Sequence, residues 1–450
     1  MPDQLSNSHI EPAITMDITE SSSGWRLAMP QQILACLPLT LFFPVGVMYL
    51  GVLLFYISLL VSGNFSQKLQ VVRASPMLWP VLTLSAVSIV IALIHNRPAG
   101  EFWSGFFHYQ TYLFLLPFLS VGAGVWQQKA LKIFFAGAIF AATLYYLNFL
   151  HVLPNNTMFR SYVVYEGNKS ILLGVLLALS SAWMLHELLL RKDHKLVRIV
   201  VLIYVVAALM LLAKTRTASV TFVLLCLMIA CRNLRWSWRS AAILGCLIAG
   251  FAGAWQYVVN LPAPATCVVN EMQQTTPVQI LLTRAECTVH QIHSFGQGKS
   301  VGDDGMRLEI YKVTSQIIAE QPWTGHGIAN WMPLYQERAK SLRSGTMTTP
   351  HNDYLLYFTE LGIAGVAALL WIWCTQLQVA YRMRASPNDS DRAMLLAMLG
   401  MTMMIGGMFN AILRDGVFGM AFMILLAIPL AGVGRSNIRS NNESNIKNNK

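Results

Sequence analysis

Long apolar runs separated by short polar segments dominate the chain. A bilayer core accepts about 20 apolar residues per helix, and about twelve runs approach that length. The first, 33–61, is too long for one crossing and contains Pro38 and Pro44, so two short helices with a tight turn near Pro44 are expected. Further spans are expected at 77–94, 107–121, 130–150, 170–190, 196–213, 217–231, 240–259, 353–380, 393–413 and 416–433. The fourth (107–121) and eighth (217–231) have the weakest pattern.

Composition agrees with this pattern: 55% of the 450 residues are hydrophobic and only 12% are charged. Soluble domains carry roughly 25% charged residues, so a soluble multidomain enzyme and a disordered chain are both excluded. The formal charge of +11 must be located by side before it says anything about partners. With the N-terminus in the cytoplasm, 19 of the 32 Lys and Arg lie on the inner side, six in short outer loops and seven in one long outer segment. The excess is then a positive-inside signature, and no nucleic-acid partner is implied. The chain reads as an all-α integral membrane protein with both termini cytoplasmic. Residues 1–32 lack the basic start and cleavage site of a secretory signal and read as a disordered cytoplasmic leader. Residues 434–450, rich in Asn, Ser and Lys, read as a cytoplasmic tail.

Between the ninth span (the spans together covering 33–259) and the last three (351–433), residues 260–350 form the one segment long enough to fold outside the bilayer. A Pro-rich entry at 261–264 and a Gly-rich link at 295–305 precede an expected helix at 306–320. The breakers of 322–327 end it, and a second helix is expected at 329–341. Cys267 and Cys287 are the two cysteines of this segment. On an oxidising side they are expected to form a disulfide, the alternative being two thiols. The other five, Cys36, Cys226, Cys231, Cys246 and Cys374, sit in or beside spans and read as small apolar packers.

The densest polar cluster at a membrane edge is 348–355. Thr349 reads as an N-cap and Pro350 as the first helical residue. His351 would then lie in the first turn, where the helix dipole disfavours the imidazolium. A neutral imidazole suits a general base; a capping or interfacial histidine is the alternative. Arg216 sits in the very short outer turn 214–217, at or just below the membrane surface. Phosphate oxygens suit its planar fork, against the alternative of snorkelling to headgroups. Arg307 begins the outer-segment helix, Arg338 and Arg343 precede His351, and Arg160 and Lys169 flank the loop before the sixth span. Most such charges are solvated surface. Arg414-Asp415 reads as a local ion pair. Glu360, about two turns into the tenth span, must be hydrogen-bonded or protonated and reads as structural, while Gly362 and Gly365 would allow close helix packing. His326, between two glycines, reads equally as site lining or ordinary loop. No P-loop, nucleophile elbow or acidic pair with metal-ligand spacing is present in the sequence.

Three stretches form a familiar set: Gln321-Pro322-Trp323-Thr324-Gly325-His326-Gly327, His351-Asn352-Asp353-Tyr354-Leu355 and Glu360-Leu361-Gly362-Ile363-Ala364-Gly365. Together they resemble the signature of the O-antigen ligase and polymerase superfamily: a P-x-x-G-x-G turn, an H-N-x-x-L helix opening and an E-x-G-I-x-G. The turn Arg216-Thr217-Ala218-Ser219 resembles the family's short S/T-R-T/G-A segment, and Arg307 occupies the place of an arginine expected upstream of the P-x-x-G-x-G turn. The motif-bearing part runs over 196–380.

The resemblance implies glycan transfer at the periplasmic face of a bacterial inner membrane, making 260–350 a periplasmic loop. The donor would be a glycan on undecaprenyl diphosphate and the acceptor a sugar hydroxyl of lipid A–core, with both lipids entering from the membrane. His351 would be the general base of an inverting transfer. Arg216 and Arg307 would hold the diphosphate, and no metal or other cofactor is needed. Arg343, Arg338, Arg160, Lys169, Lys214 and Asn352 complete the candidate substrate-binding set. The stretch 266–293 has no recognised counterpart in the family pattern, which leaves the acceptor least defined. A polymerase or a protein O-oligosaccharyltransferase of the same superfamily are the alternatives. A transporter is the reading from another class, disfavoured because the ionisable residues crowd the outer face.

Overall fold

A computed structural model describes residues 24–95, 99–153, 168–213, 215–233, 238–264, 267, 276–299, 302–386 and 388–434. Most of the leader and the tail from 435 onward lie outside the described residues. Secondary structure among those described is helical, without strands. The elements are α1 (Gly24–Thr40), α2 (Val45–Val61), α3 (Phe65–Ala74), α4 (Leu78–His95), α5 (Ala99–Tyr109), α6 (Leu115–Leu119), α7 (Trp126–Phe149), α8 (Asn168–Leu190) and α9 (Lys195–Ala207). After a π-helical turn, Ala208–Leu212, come α10 (Arg216–Asn233), α11 (Trp238–Asn260), α12 (Pro277–Gly296), α13 (Gly302–Glu320), α14 (Trp331–Arg338), α15 (Asp353–Met383), α16 (Ser390–Phe409) and α17 (Gly416–Leu430).

Among the described residues, six helices are long and apolar enough to cross a membrane: α4, α7, α8, α9 with its π turn, α15 and α16. A seventh crossing arises if α2 and α3, bent by 117°, count as one. The break at Pro44 falls between α1 and α2. The weak run 107–121 is not one helix but the end of α5, a 3₁₀ turn at Thr111–Phe114, and α6. Polar side chains intervene there: Gln110 Nε2 donates to Ser88 Oγ at 2.8 Å, and Thr111 Oγ1 donates to the His108 carbonyl at 3.0 Å.

α17 is buried on every side from Phe418 to Leu430, as befits a helix apolar all round. It lies against α16, α6, α1 and α7. Around it, α1 packs on α2 and α7, α8 on α10, and α15 on α16 and α4. Leu50, Leu53, Leu54, Ile57 and Leu60 of α2 face outward, as do Leu196, Val197, Val200 and Ile203 of α9. Apolar faces of that extent need lipid rather than water. The protein is therefore a multi-pass membrane protein.

Two features of the helices differ from the sequence reading. Helix α12 occupies part of the stretch 266–293, which has no counterpart in the family pattern. Thr276 caps it, accepting from Gln279 N at 3.3 Å with Pro277 as the next residue. In α15, Gly362 does not serve helix packing but breaks the helix (φ 67°, ψ −163°). The carbonyls freed at the break are taken by the 321–327 turn: His326 N donates to Thr359 O (2.7 Å) and Gly327 N to Glu360 O (3.0 Å), while Ile363 N returns a bond to Pro322 O (2.9 Å). The two glycine motifs are thus halves of one joint. A Cβ at Gly362 would collide with the Trp323 carbonyl oxygen on a backbone that L-residues avoid. Gly362→Ala is expected to cost about 3 kcal/mol, read as a lower thermal midpoint of the purified protein.

Candidate functional site

The ends of α10, α13, α15 and α16 converge at one end of the bundle, and short polar bonds fix them there. Asn410, after α16, donates through Nδ2 to Thr217 Oγ1 on α10 at 3.2 Å. Tyr311 Oη on α13 donates to the Met408 carbonyl at 3.0 Å. Asn352 Nδ2 donates to the same carbonyl at 3.0 Å. Asp353, fully buried, accepts from Leu413 N at 3.2 and 3.3 Å. Arg414 Nη1 donates to the Thr348 carbonyl at 2.5 Å, and Asp415 caps α17 through Val417 N and Phe418 N. Arg414 and Asp415 thus each serve a partner in the backbone.

His351 stands just before α15 rather than in its first turn. The N-cap is Asn352, whose side chain accepts from Leu355 N, so the helix begins three residues later than the Thr349-Pro350 pattern implied. Thr349 Oγ1 instead accepts from His351 N at 3.1 Å, and His351 takes a left-handed conformation (φ 49°). A side-chain-bearing residue rarely adopts that conformation outside constrained sites. Its imidazole pKa lies below the ordinary value of 6.5, through burial first and then the positive charges of Arg307 and Arg414. The neutral form expected from the helix dipole thus has a different cause: desolvation and two guanidinium groups.

Arg216 is the first residue of α10, four residues past the π turn. It donates to Thr288 Oγ1 on α12 at 2.6 Å and pairs with the Asp304 carboxylate on α13. Arg307, one turn after Asp304, lies 3.9 Å from the other oxygen of the same carboxylate. Asp304 is itself held by a bond from its backbone N to Gln291 Oε1 at 3.0 Å. All three groups are partly exposed, Arg216 at 28% and Arg307 at 34%. Two arginines from different helices therefore share one anion, and the charge of one of them, Arg307, reaches His351.

Asp304 and Thr288 were missed from the sequence. The spacing Asp304-x-x-Arg307 on a helix was the available signal for the first; nothing local marked the second. Arg338 is not brought to the cluster: it pairs with Glu320 at 2.6 Å, at the far end of α13 from Arg307 and about 20 Å along its axis. Arg343 is exposed on the 3₁₀ turn Arg343–Thr346, which Ser344 anchors to Glu309 and Tyr335. Asn352 is committed to capping and to the Met408 carbonyl. Arg160, Lys214 and the side chain of Lys169 lie outside the described residues.

Supporting groups complete the frame. Cys267 and Cys287 form a disulfide, tying the entry segment to α12. Glu360, 6% exposed, accepts from Tyr109 Oη at 2.5 Å and Trp331 N at 3.3 Å, joining α5, α14 and α15. His326 is a structural part of the joint. Its Nε2 lies 2.8 Å from the Ile317 carbonyl, and a carbonyl only accepts, so Nε2 carries the hydrogen.

Residues 199–370 match the family model described as O-Antigen ligase. That match supports a place in the O-antigen ligase superfamily for this segment of the chain. A comparison with curated proteins finds no match. The ligase-family segment holds Arg216, Asp304, Arg307, His351 and the Gly325–Gly362 joint, so the convergence described above lies within it. Enzymes of this superfamily are glycosyltransferase-like and act on lipid-linked glycans.

Proposed function

We propose that the protein is an O-antigen ligase, moving a glycan from undecaprenyl diphosphate to a sugar hydroxyl of lipid A–core at the periplasmic face of a bacterial inner membrane. One observation carries this reading: half-buried His351, its pKa lowered by burial and by the charge of Arg307 and Arg414, lies within reach of that charge, and Arg307 shares the Asp304 carboxylate with Arg216. A base and an anion-binding fork are thus adjacent. The site lies where α10 and α13 begin, on the side that the Lys/Arg distribution reads as outer and that the family reading makes periplasmic. Cys267–Cys287 suits an oxidising compartment. In this topology the apolar runs make about twelve crossings.

The chemistry follows from the groups present. His351 takes the proton of the acceptor hydroxyl as its oxygen attacks the anomeric carbon. The bond from that carbon to the diphosphate oxygen breaks, with inversion, and the diphosphate leaves as the anion. Arg216 and Arg307 hold its oxygens and offset the charge that grows on them. For them to do so, the donor diphosphate takes the place that Asp304 occupies between the two guanidinium groups.

The pH dependence has a definite sign. Neutral His351 is the working form and its pKa is lowered, so activity is retained below pH 6.5 and lost only as pH falls through that lower value. Arg414→Gln removes one of the charges that oppose protonation. The acid limb of kcat/KM is expected to move upward in that variant, as a pH–rate profile would show.

Deleting the gene in its host tests the assignment within the superfamily. Ligase loss leaves bare lipid A–core on gels while long glycan accumulates on the carrier. Core bearing a single repeat would mark a polymerase. An unchanged lipopolysaccharide ladder beside underglycosylated protein would mark a protein oligosaccharyltransferase.

A further inference from the structure

The helix that the sequence pattern left blank carries a third arginine at the anion site. Arg284 lies on α12 one turn before Thr288, and its carbonyl accepts from Thr288 Oγ1 at 3.0 Å. Thr288 Oγ1 is also the group to which Arg216 donates, which puts the two arginines on the same side of α12. Arg284 is close enough to feel the charge of Arg216, Asp304 and Asp303, and burial together with Arg216 depresses its pKa. Its Nε is buried without a hydrogen-bond partner among the described residues. A buried guanidinium N–H left unpaired is costly, and a second positive charge alongside raises that cost. A ligand with several anionic oxygens relieves both.

We propose that Arg284 is a third diphosphate-binding residue, converging with Arg216 and Arg307 on the position now held by the Asp304 carboxylate. This rests on the reading of the site as one for a lipid diphosphate. With Asp304 displaced, three guanidinium groups face Asp303 alone, and that surplus of positive charge suits a diphosphate better than a single carboxylate. Cys287 follows Arg284 by one turn of α12, so the Cys267–Cys287 disulfide anchors the helix that presents it. The fork, not charge alone, does the binding, because Nε is the buried donor.

Binding of glycan-free undecaprenyl diphosphate to the purified full chain separates the outcomes, with inorganic pyrophosphate as competitor. Wild type is expected to bind and Arg284→Gln to bind about tenfold more weakly. Arg284→Lys should fall between them, with KM for the donor raised more than kcat is lowered. Wild-type affinity in folded Arg284→Gln, even with a lower thermal midpoint, would overturn the proposal and leave Arg284 a structural residue. If the glutamine variant does not fold, Arg284→Lys decides alone, and wild-type affinity there overturns the proposal equally. Failure of wild-type protein itself to bind undecaprenyl diphosphate would instead sink the functional reading on which this rests.

Discussion

Purified His351→Ala is expected to retain the lipid-linked donor and to lose transfer by roughly 10²–10⁴-fold, the usual contribution of a positioned general base. The division between binding and turnover is what gives the result its meaning. In the proposed mechanism donor recognition falls to Arg216 and Arg307, which pair with Asp304 from α10 and α13, whereas His351 would act on the acceptor hydroxyl. The variant should keep its fold, because the cap of α15 is the neighbouring Asn352 and the tether to the end of α16 is also Asn352. Removing the side chain at φ 49° leaves the backbone strain in place, so little change in thermal midpoint is expected. Equal loss of donor binding and turnover would argue against the base assignment.

Arg216→Gln should be the second large effect, with transfer lower by about 10²–10³-fold, the range seen when one charge-stabilising donor is removed. Unlike His351→Ala, it is expected to weaken donor binding too, because in the proposed mechanism its fork would contact the diphosphate in both ground and transition states. Arg216 joins α10 to α12 and α13 through Thr288 and Asp304. Exposed and half-exposed ion pairs contribute little to stability, so the folded state should survive. Kinetics with the purified variant, fitted for kcat and KM separately, check both parts.

Much of the scaffold was legible because apolar runs of membrane length leave few alternatives. The turn at Pro44, the helix expected at 306–320 and the pairing of Cys267 with Cys287 could be anticipated from proline, periodicity and cysteine location, although that helix begins earlier, at Gly302. Helix α12 could have been found too: Thr276-Pro277-x-Gln279 is a capping pattern, but the apolar face behind it is irregular. The start of α15 was misplaced because Thr349 and Asn352 are both good caps, and only packing decides between them. Asn352 reaches Met408 while Thr349 turns back on His351. The break at Gly362 was invisible for a related reason. A glycine in an apolar run reads as close packing until the 321–327 turn is seen to take the carbonyls that the break releases.

Of the site, the arginine and histidine types were readable, but their common anion was not. Asp304 looks like one more solvated acid at the start of an outer helix. Only the fold shows that Arg216, some ninety residues earlier, reaches it. Arg338 shows the opposite case: nearby in sequence to His351, it is occupied with Glu320 at the other end of α13.

The most direct measurement of the central claim is transfer by the purified chain in liposomes supplied with undecaprenyl-diphosphate-linked glycan and lipid A–core. The account predicts glycan joined to core, inverted at the transferred anomeric carbon, with free undecaprenyl diphosphate released in equal amount. Glycan lengthening on the carrier while the core stays bare would contradict it.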